Sequence, residues 1–265
     1  QGPGVCAGMG TANTMHIAAE ALGLALPGST PVLANGDRMF AFAEAAGRRI
    51  VQMVKEDLKP SAILTPQAFE NAVMVGLALS ASINLVRHLQ AVAMEAECAV
   101  DLYELYDRLG PKVPLLAAVR PNGDSRIEEL EAAGGTRGVM KRLASLIHRD
   151  ALTVSGKTWG EEIDAAPAPG ALIRTLDDPI SRKPSVVVMR GNLAPEGSIL
   201  KLGDAGAKTS LFEGRALVFA SQEEALAALR EGRLVDGTVA VLRGMGCRGG
   251  PGMALASGFV AAVDG

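Results

Sequence analysis

The spacing of apolar residues changes character part-way along this chain. Up to about residue 165 they recur every three or four positions, the period of a helix face. Beyond an Ala/Pro/Gly stretch at residues 165–170 they fall into short runs bounded by turn residues, the pattern of strands. A single layer of one kind of element does not satisfy both patterns. The sequence therefore predicts an α/β chain in two domains, a helix-rich part over residues 1–165 and a β-rich part over residues 166–265.

In the first part, residues 37–58 predict an amphipathic helix. Met39, Phe40, Phe42, Ile50, Val51 and Val54 form its apolar stripe, and Arg48, Arg49, Lys55 and Glu56 lie off it. Residues 68–76 and 85–96 are apolar on nearly all sides, which predicts two buried helices, with Pro66 in the first turn of the segment that leads into the former. Further helices are expected over residues 14–26, 101–109, 127–133, 139–148 and 159–163, and a buried strand over 115–119. In the second part, strands are expected over 185–189, 198–202, 216–220 and 238–242. One helix, over 222–230, interrupts them with Ser221 as its N-cap.

Composition sets the outer bounds. With 265 residues, 48% of them hydrophobic, the chain has ample material for a core. A formal charge of −3 supplies no basic field for nucleic acid. No apolar run reaches the roughly eighteen residues of a membrane span. The cysteines, at 6, 98 and 247, lack the spacing of a disulfide scaffold, so a reducing compartment is expected, the cytoplasm or an organelle matrix. The sequence has no initiator methionine and reads as an excerpt of a longer chain.

The chemistry concentrates near the start. Residues 4–26 run GVCAGMGTANTMHIAAEALGLAL, a glycine-rich loop with one cysteine feeding a helix for which Thr11 or Asn13 is a candidate cap. Cys6 lies just before a helix N-terminus, where unpaired N–H groups and the helix dipole favour a thiolate, the form that ligates metal. Either it is such a ligand or it is a small buried residue of a Gly/Ala loop. Gly156-Lys157-Thr158 is not a phosphate loop, because Ala151 stands where that loop needs glycine. Residues 203–209 fail likewise, with Ala207 before Lys208. Gly244-x-Gly246-x-x-Gly249 matches a dinucleotide fingerprint in spacing, yet Pro251 and Gly252 break the helix that the fingerprint requires. His88 reads either as a hydrogen-bonded core histidine or as a site residue. Glu196 reads either as a solvated turn residue or as a site residue, and Cys98 and Cys247 as bystander thiols.

Cys6-Ala7-Gly8-Met9-Gly10-Thr11-Ala12-Asn13-Thr14-Met15 resembles the last cluster-cysteine motif of the dihydroxy-acid dehydratase and sugar-acid dehydratase family. The resemblance continues in order through Leu26-Pro27-Gly28, Ala68-Phe69-Glu70-Asn71-Ala72 and Gly134-Gly135-Thr136. It runs on through Val154-Ser155-Gly156-Lys157-Thr158, Leu176-Asp177-Asp178-Pro179-Ile180 and Gly191-Asn192-Leu193-Ala194-Pro195-Glu196-Gly197, and ends at Gly249-Gly250-Pro251-Gly252-Met253.

The resemblance implies the end of a three-layer α/β/α domain followed by a swivelling, barrel-like β domain. It implies dehydration of a 2,3-dihydroxy acid to a 2-keto acid, as in branched-chain amino-acid synthesis, or of a sugar acid. It also implies an Fe–S cluster (2Fe-2S before 4Fe-4S) as Lewis acid, Mg²⁺ on the substrate carboxylate, and a homodimer. Cys6 would be one cluster ligand, and Asn84, His88 and Glu196 would lie at the substrate cavity. In the family, two more cluster cysteines and the Mg²⁺-binding Asp and carbamylated Lys precede the Cys6 motif, and the serine base follows the equivalent of Gly265. No catalytic base is therefore expected within these residues.

Two departures stand out. Where the family has Gly-Gly-Ser-Thr-Asn, this chain has Ser80-Ala81-Ser82-Ile83-Asn84. Where the family has a Mg²⁺-binding Glu after Gly-Gly-Pro-Gly-Met, this chain has Leu255, which does not ligate a hard cation. The second departure raises the alternative of a divergent member without the chemistry, acting as a binding or structural subunit.

Overall fold

The computed structural model describes residues 6–202, 211–246 and 256–264. Cys247, Leu255, residues 203–209 and 247–250, and the Gly-Gly-Pro-Gly-Met segment lie outside them. The chain divides into two compact units, Gln1–Ala207 and Lys208–Gly265.

The first unit is built around α4 (Pro66–Ala78), whose N-cap Thr65 accepts from the Ala68 amide. Every residue of α4 from Asn71 to Ala78 is buried, as its sequence predicts. Around it pack α1 (Thr11–Ala21), α5 (Asn84–Glu95), α6 (Leu102–Leu109) and α8 (Gly135–Arg142). Burying one side chain of the size of Phe69 or Leu77 contributes about 1.5–3 kcal/mol, so the enclosed run of α4 is a substantial part of this unit's cohesion. Asp101 caps α6 through Oδ1, and Thr158 and Glu161 form a capping box on α9 (Trp159–Asp164).

Several expectations are corrected. The first helix begins at Thr11 and ends at Ala21, with Gly10 as N-cap in place of a side-chain cap; Gly23, at φ +85°, turns the chain away. Of α5 only Leu85, Val86, Leu89 and Ala93 are buried, so it is amphipathic and not enclosed. Of residues 115–119 all but Ala118 are buried, and they form isolated bridges at Leu115 and Val119 but no strand. Their amides are served by a helix end and a loop, Leu116 and Ala117 donating to Ala78 O and Leu115 to Ser181 O. The helix expected at 139–148 runs as α8 and stops at Arg142.

The stripe on α2 (Asp37–Glu56) is also different from expectation. Only Met53 is buried, while Phe40, Ile50 and Val51 are more than half exposed and Val54 is 75% exposed. Part of this face borders a groove of about 600 Å³ lined by Leu24, Leu26, Phe42, Ile50, Met53 and Ile63. Amphipathic spacing specifies an apolar face without specifying what covers it.

Strands β1 (Val186–Gly191) and β2 (Ala194–Lys201) form an antiparallel hairpin, Val186 opposite Lys201, with a register shift between Met189 and Gly191. The hairpin lies on α6. Gly197, at φ +123°, brings its backbone so near the Tyr103 ring that a β-carbon would meet it at 2.8 Å. Arg190 pairs with Asp107 at 2.7 Å, and Ser185 Oγ donates to Leu77 O at 2.8 Å. This seating carries the end of β2 to α4.

The second unit contains β3 (Arg215–Phe219), α10 (Gln222–Arg230), β4 (Thr238–Leu242) and α11 (Ser257–Asp264). The strands pair in parallel, Arg215 opposite Thr238, with α10 as the crossover. Ser221 Oγ caps α10 by accepting from the Glu224 amide at 3.1 Å, as its sequence predicts. Phe219, Ala225, Ala228 and Phe259 make a small core. The described residues of this unit are therefore a β–α–β unit with a following helix; the four strands expected beyond residue 166 all occur as β1 to β4, and across the described residues there is no closed barrel. The chain as a whole mixes helix and strand, as an α/β chain does. No helix among the described residues is long and apolar enough to cross a membrane.

A candidate site at the head of the first helix

Residues 6–10 enter α1 along a backbone held from several sides. The Met9 amide donates to Arg120 O at 2.6 Å, and the Ile127 amide donates to Ala7 O at 2.9 Å. A β-carbon on Gly8 would lie 2.4 Å from Arg120 O, so this approach requires glycine. Asn13, inside the helix and nearly fully buried, turns its amide back and donates from Nδ2 to both Cys6 O and Gly8 O at 2.7 Å. Asn13 is therefore a clamp on the loop, where sequence reading offers it as a helix cap.

Cys6 itself is exposed. Its Sγ stands beside Gly10, where a β-carbon would come within 3.8 Å. An open thiol at a fixed loop fits one ligand of a metal or cluster, and the reading of Cys6 as a sealed core residue does not hold. Among the described residues no three His, Cys, Asp or Glu side chains converge on a metal-binding position. Residues present here thus fit a single thiolate ligand, and the described residues offer no carboxylate set for Mg²⁺. Cys98 is a free thiol whose pKa burial pushes up, which disfavours the thiolate.

The same helix head gathers the turn between α4 and α5. Thr11 Oγ1 meets Ser82 Oγ at 3.0 Å and accepts from Asn84 Nδ2 at 2.9 Å. Ser82 N donates to Thr14 Oγ1 at 3.1 Å, and Asn84 N donates to Ser82 Oγ at 3.3 Å. Cys6 and Asn84 are thereby placed on one construction, the first turn of α1. His88 is exposed one helical turn after Asn84 on α5, and so is not a hydrogen-bonded core residue. Glu196 is exposed in β2 and not in a turn, and it makes no hydrogen bond to the Cys6–Asn84 group among the described residues.

Residues 1–162 match the N-terminal domain, and residues 171–263 the C-terminal domain, of the family described as dihydroxy-acid/6-phosphogluconate dehydratase. The chain belongs to that family. Among curated relatives in this dehydratase family, a dihydroxy-acid dehydratase of Ignicoccus hospitalis is 45% identical over 255 residues, covering 95% of this chain and 46% of the relative. One from Methylococcus capsulatus is 44% identical over 258 residues, covering 95% and 45%. One from Mycobacterium ulcerans is 41% identical over 269 residues, covering 100% and 47%. The chain spans about half the length of the curated relatives it matches.

Two residues beside this candidate site escape sequence reading. Lys201, at the end of β2, donates from Nζ to Ser80 O at 2.8 Å and to Ala81 O at 3.4 Å. Asn122 Nδ2 donates to the same Ser80 O at 2.8 Å. A lysine after the apolar pair Ile199-Leu200, near the end of a predicted strand, is the one local sign of it; nothing local links it to residue 80. The Ser80 hydroxyl is buried and, among the described residues, has no hydrogen-bond partner.

Proposed function

We propose that this chain is part of a hydro-lyase that converts a 2,3-dihydroxy carboxylic acid to a 2-keto acid, with dihydroxy-acid dehydratase of branched-chain amino-acid synthesis as the first assignment and a sugar-acid dehydratase as the second. The observation that carries the reading is the open Cys6 thiol on a clamped glycine loop, hydrogen-bonded through the α1 head to the Ser82 and Asn84 turn. The relatives' names support the same reaction.

In this reading Cys6 is one ligand of an Fe–S cluster, of the 2Fe-2S kind before 4Fe-4S, and the cluster supplies Lewis acidity toward the leaving hydroxyl. Asn13 holds the Cys6 carbonyl inward, so the backbone that carries the thiol is fixed. Asn84, through Thr11, and His88 on the same helix present polar groups toward the substrate side, and Glu196 is a further cavity residue. Mg²⁺ belongs to the reading as a second ion, with no ligands assigned among the described residues. The domain division is placed at 165/166, a three-layer α/β/α domain before it and a swivelling β-rich domain after it. A homodimer in the cytoplasm, or in an organelle matrix, completes the proposal.

Leu255, where the family has a Mg²⁺-binding Glu, favours a second reading: a divergent member with a binding or structural role. Purifying the full-length protein without oxygen, measuring iron and sulfide, and assaying keto-acid formation from 2,3-dihydroxyisovalerate and from sugar acids separates the two. Bound cluster with turnover supports the dehydratase. A folded protein with neither supports the divergent member.

A further inference from the structure

Lys201 presses its ammonium onto two neutral carbonyls, and among the described residues its hydrogen bonds go only to them. An ammonium is strongly hydrated, so moving it partly out of water is unfavourable unless it secures something. Burial also lowers this lysine's affinity for its proton. What it secures is unusual backbone. Ser80 lies at φ +47°, the left-handed region that disfavours a β-carbon, and its hydroxyl gains no partner there. The Ser80 amide closes the end of α4 by donating to Leu77 O at 3.2 Å, and the Ser80 carbonyl is served twice, by Lys201 from the hairpin and by Asn122 from the 120–123 turn. The next residues pass directly to the site: Ala81 is buried, Ser82 meets Thr11 and Thr14, and Asn84 donates to Thr11. A continuous line of bonded or adjacent residues thus runs from the end of β2 to the head of the helix that follows Cys6.

We propose that Lys201 is a positioning residue: its ammonium locks the strained turn at Ser80 and Ala81, and so fixes Ser82 and Asn84 against Thr11 beside the Cys6 loop. The catalytic consequence rests on the dehydratase reading; the lock itself does not.

The test uses the full-length protein with Lys201→Met and Lys201→Arg, read by hydrogen–deuterium exchange, iron content, kcat and KM. In Lys201→Met, amides 80–84 and 11–14 should exchange at least tenfold faster while those of α8 stay unchanged. kcat/KM should fall at least tenfold with iron retained, and Lys201→Arg should restore both. A second arm adds Lys201→Met to Ser80→Gly. Glycine adopts a positive φ without strain, so there the lysine's loss should speed exchange less than threefold. Unchanged exchange at 80–84, equal acceleration throughout the unit, or an equal effect in both backgrounds overturns the lock. Local acceleration with unchanged kcat/KM in an active enzyme overturns its role in positioning. A wild-type protein without turnover sinks the dehydratase reading, and exchange then decides the lock alone.

Discussion

Asn13 holds Cys6 from behind: its Nδ2 donates to the Cys6 carbonyl at 2.7 Å and to the Gly8 carbonyl at the same distance. One buried amide thus fixes two carbonyls of the loop that carries the only candidate cluster thiol among the described residues with an open face. Partners behind a metal ligand commonly change affinity by about 10–100-fold when removed. Asn13→Ala in the full-length protein is expected to lower cluster retention by about tenfold, read as iron and sulfide per chain after gel filtration. Iron content equal to wild type would show that the loop holds its shape without the clamp.

Glu20 is fully buried and accepts from the amides of Gly28 and Thr30 and from Thr30 Oγ1, each at 2.7 Å. Burial outweighs those bonds and the nearby Arg137 charge, pushing its carboxyl up to about 7 from an ordinary 4.5. The folded state therefore binds this proton more tightly than the unfolded state. Its contribution to stability is full below the unfolded value and declines as pH rises from about 4.5 to about 7. The single tryptophan, Trp159, reports nearby, because its Nε1 donates to Ala21 O at 3.2 Å. Urea midpoints followed by its fluorescence should fall between pH 5 and pH 8 in wild type, and Glu20→Gln should flatten that fall.

Asn71 joins α4 to the loop after α8 through both sides of its amide, donating to His148 O at 3.0 Å and accepting from His148 N at 2.8 Å. Removing it strands two backbone groups beside the buried run of α4. Asn71→Ala should destabilise the first unit by about 2–3 kcal/mol, measured by the same fluorescence titration. A loss below about 0.5 kcal/mol would mean that water replaces both bonds.

The exposed apolar residues of α2 predict association. Ile50 and Val54 leave much of their surface open, more than a lone surface hydrophobe explains, since Phe40 and Val51 extend the same helix's apolar exposure. Sedimentation of this chain should show mass rising with concentration, and Ile50→Glu with Val54→Glu should return it toward the monomer. Identical sedimentation for both forms would remove α2 from the interface.

Much of the local structure was legible. Ser221 before a Gln-Glu-Glu run marks a helix start whose hydrogen bond closes within a turn. The same holds for α4, where the apolar run from Ala72 to Ala78 requires enclosure. Other features were not legible. The buried run at 115–119 has strand composition, but its amides go to Ala78 and Ser181, so the partner decides the structure. The stripe on α2 has core composition and lies largely in the open.

Sequence alone determined that residues 71–78 are enclosed, that Ser221 starts a helix and that a cysteine precedes the first one, because those outcomes rest on residues close together in the chain. Tertiary structure decided that Lys201 reaches Ser80, that Asn84 reaches Thr11 and that Asn71 grips His148. Each pair is brought together only when α4 is enclosed and the hairpin seats on α6. Such contacts depend on how surfaces fit, and a single residue's neighbours in sequence carry no record of that.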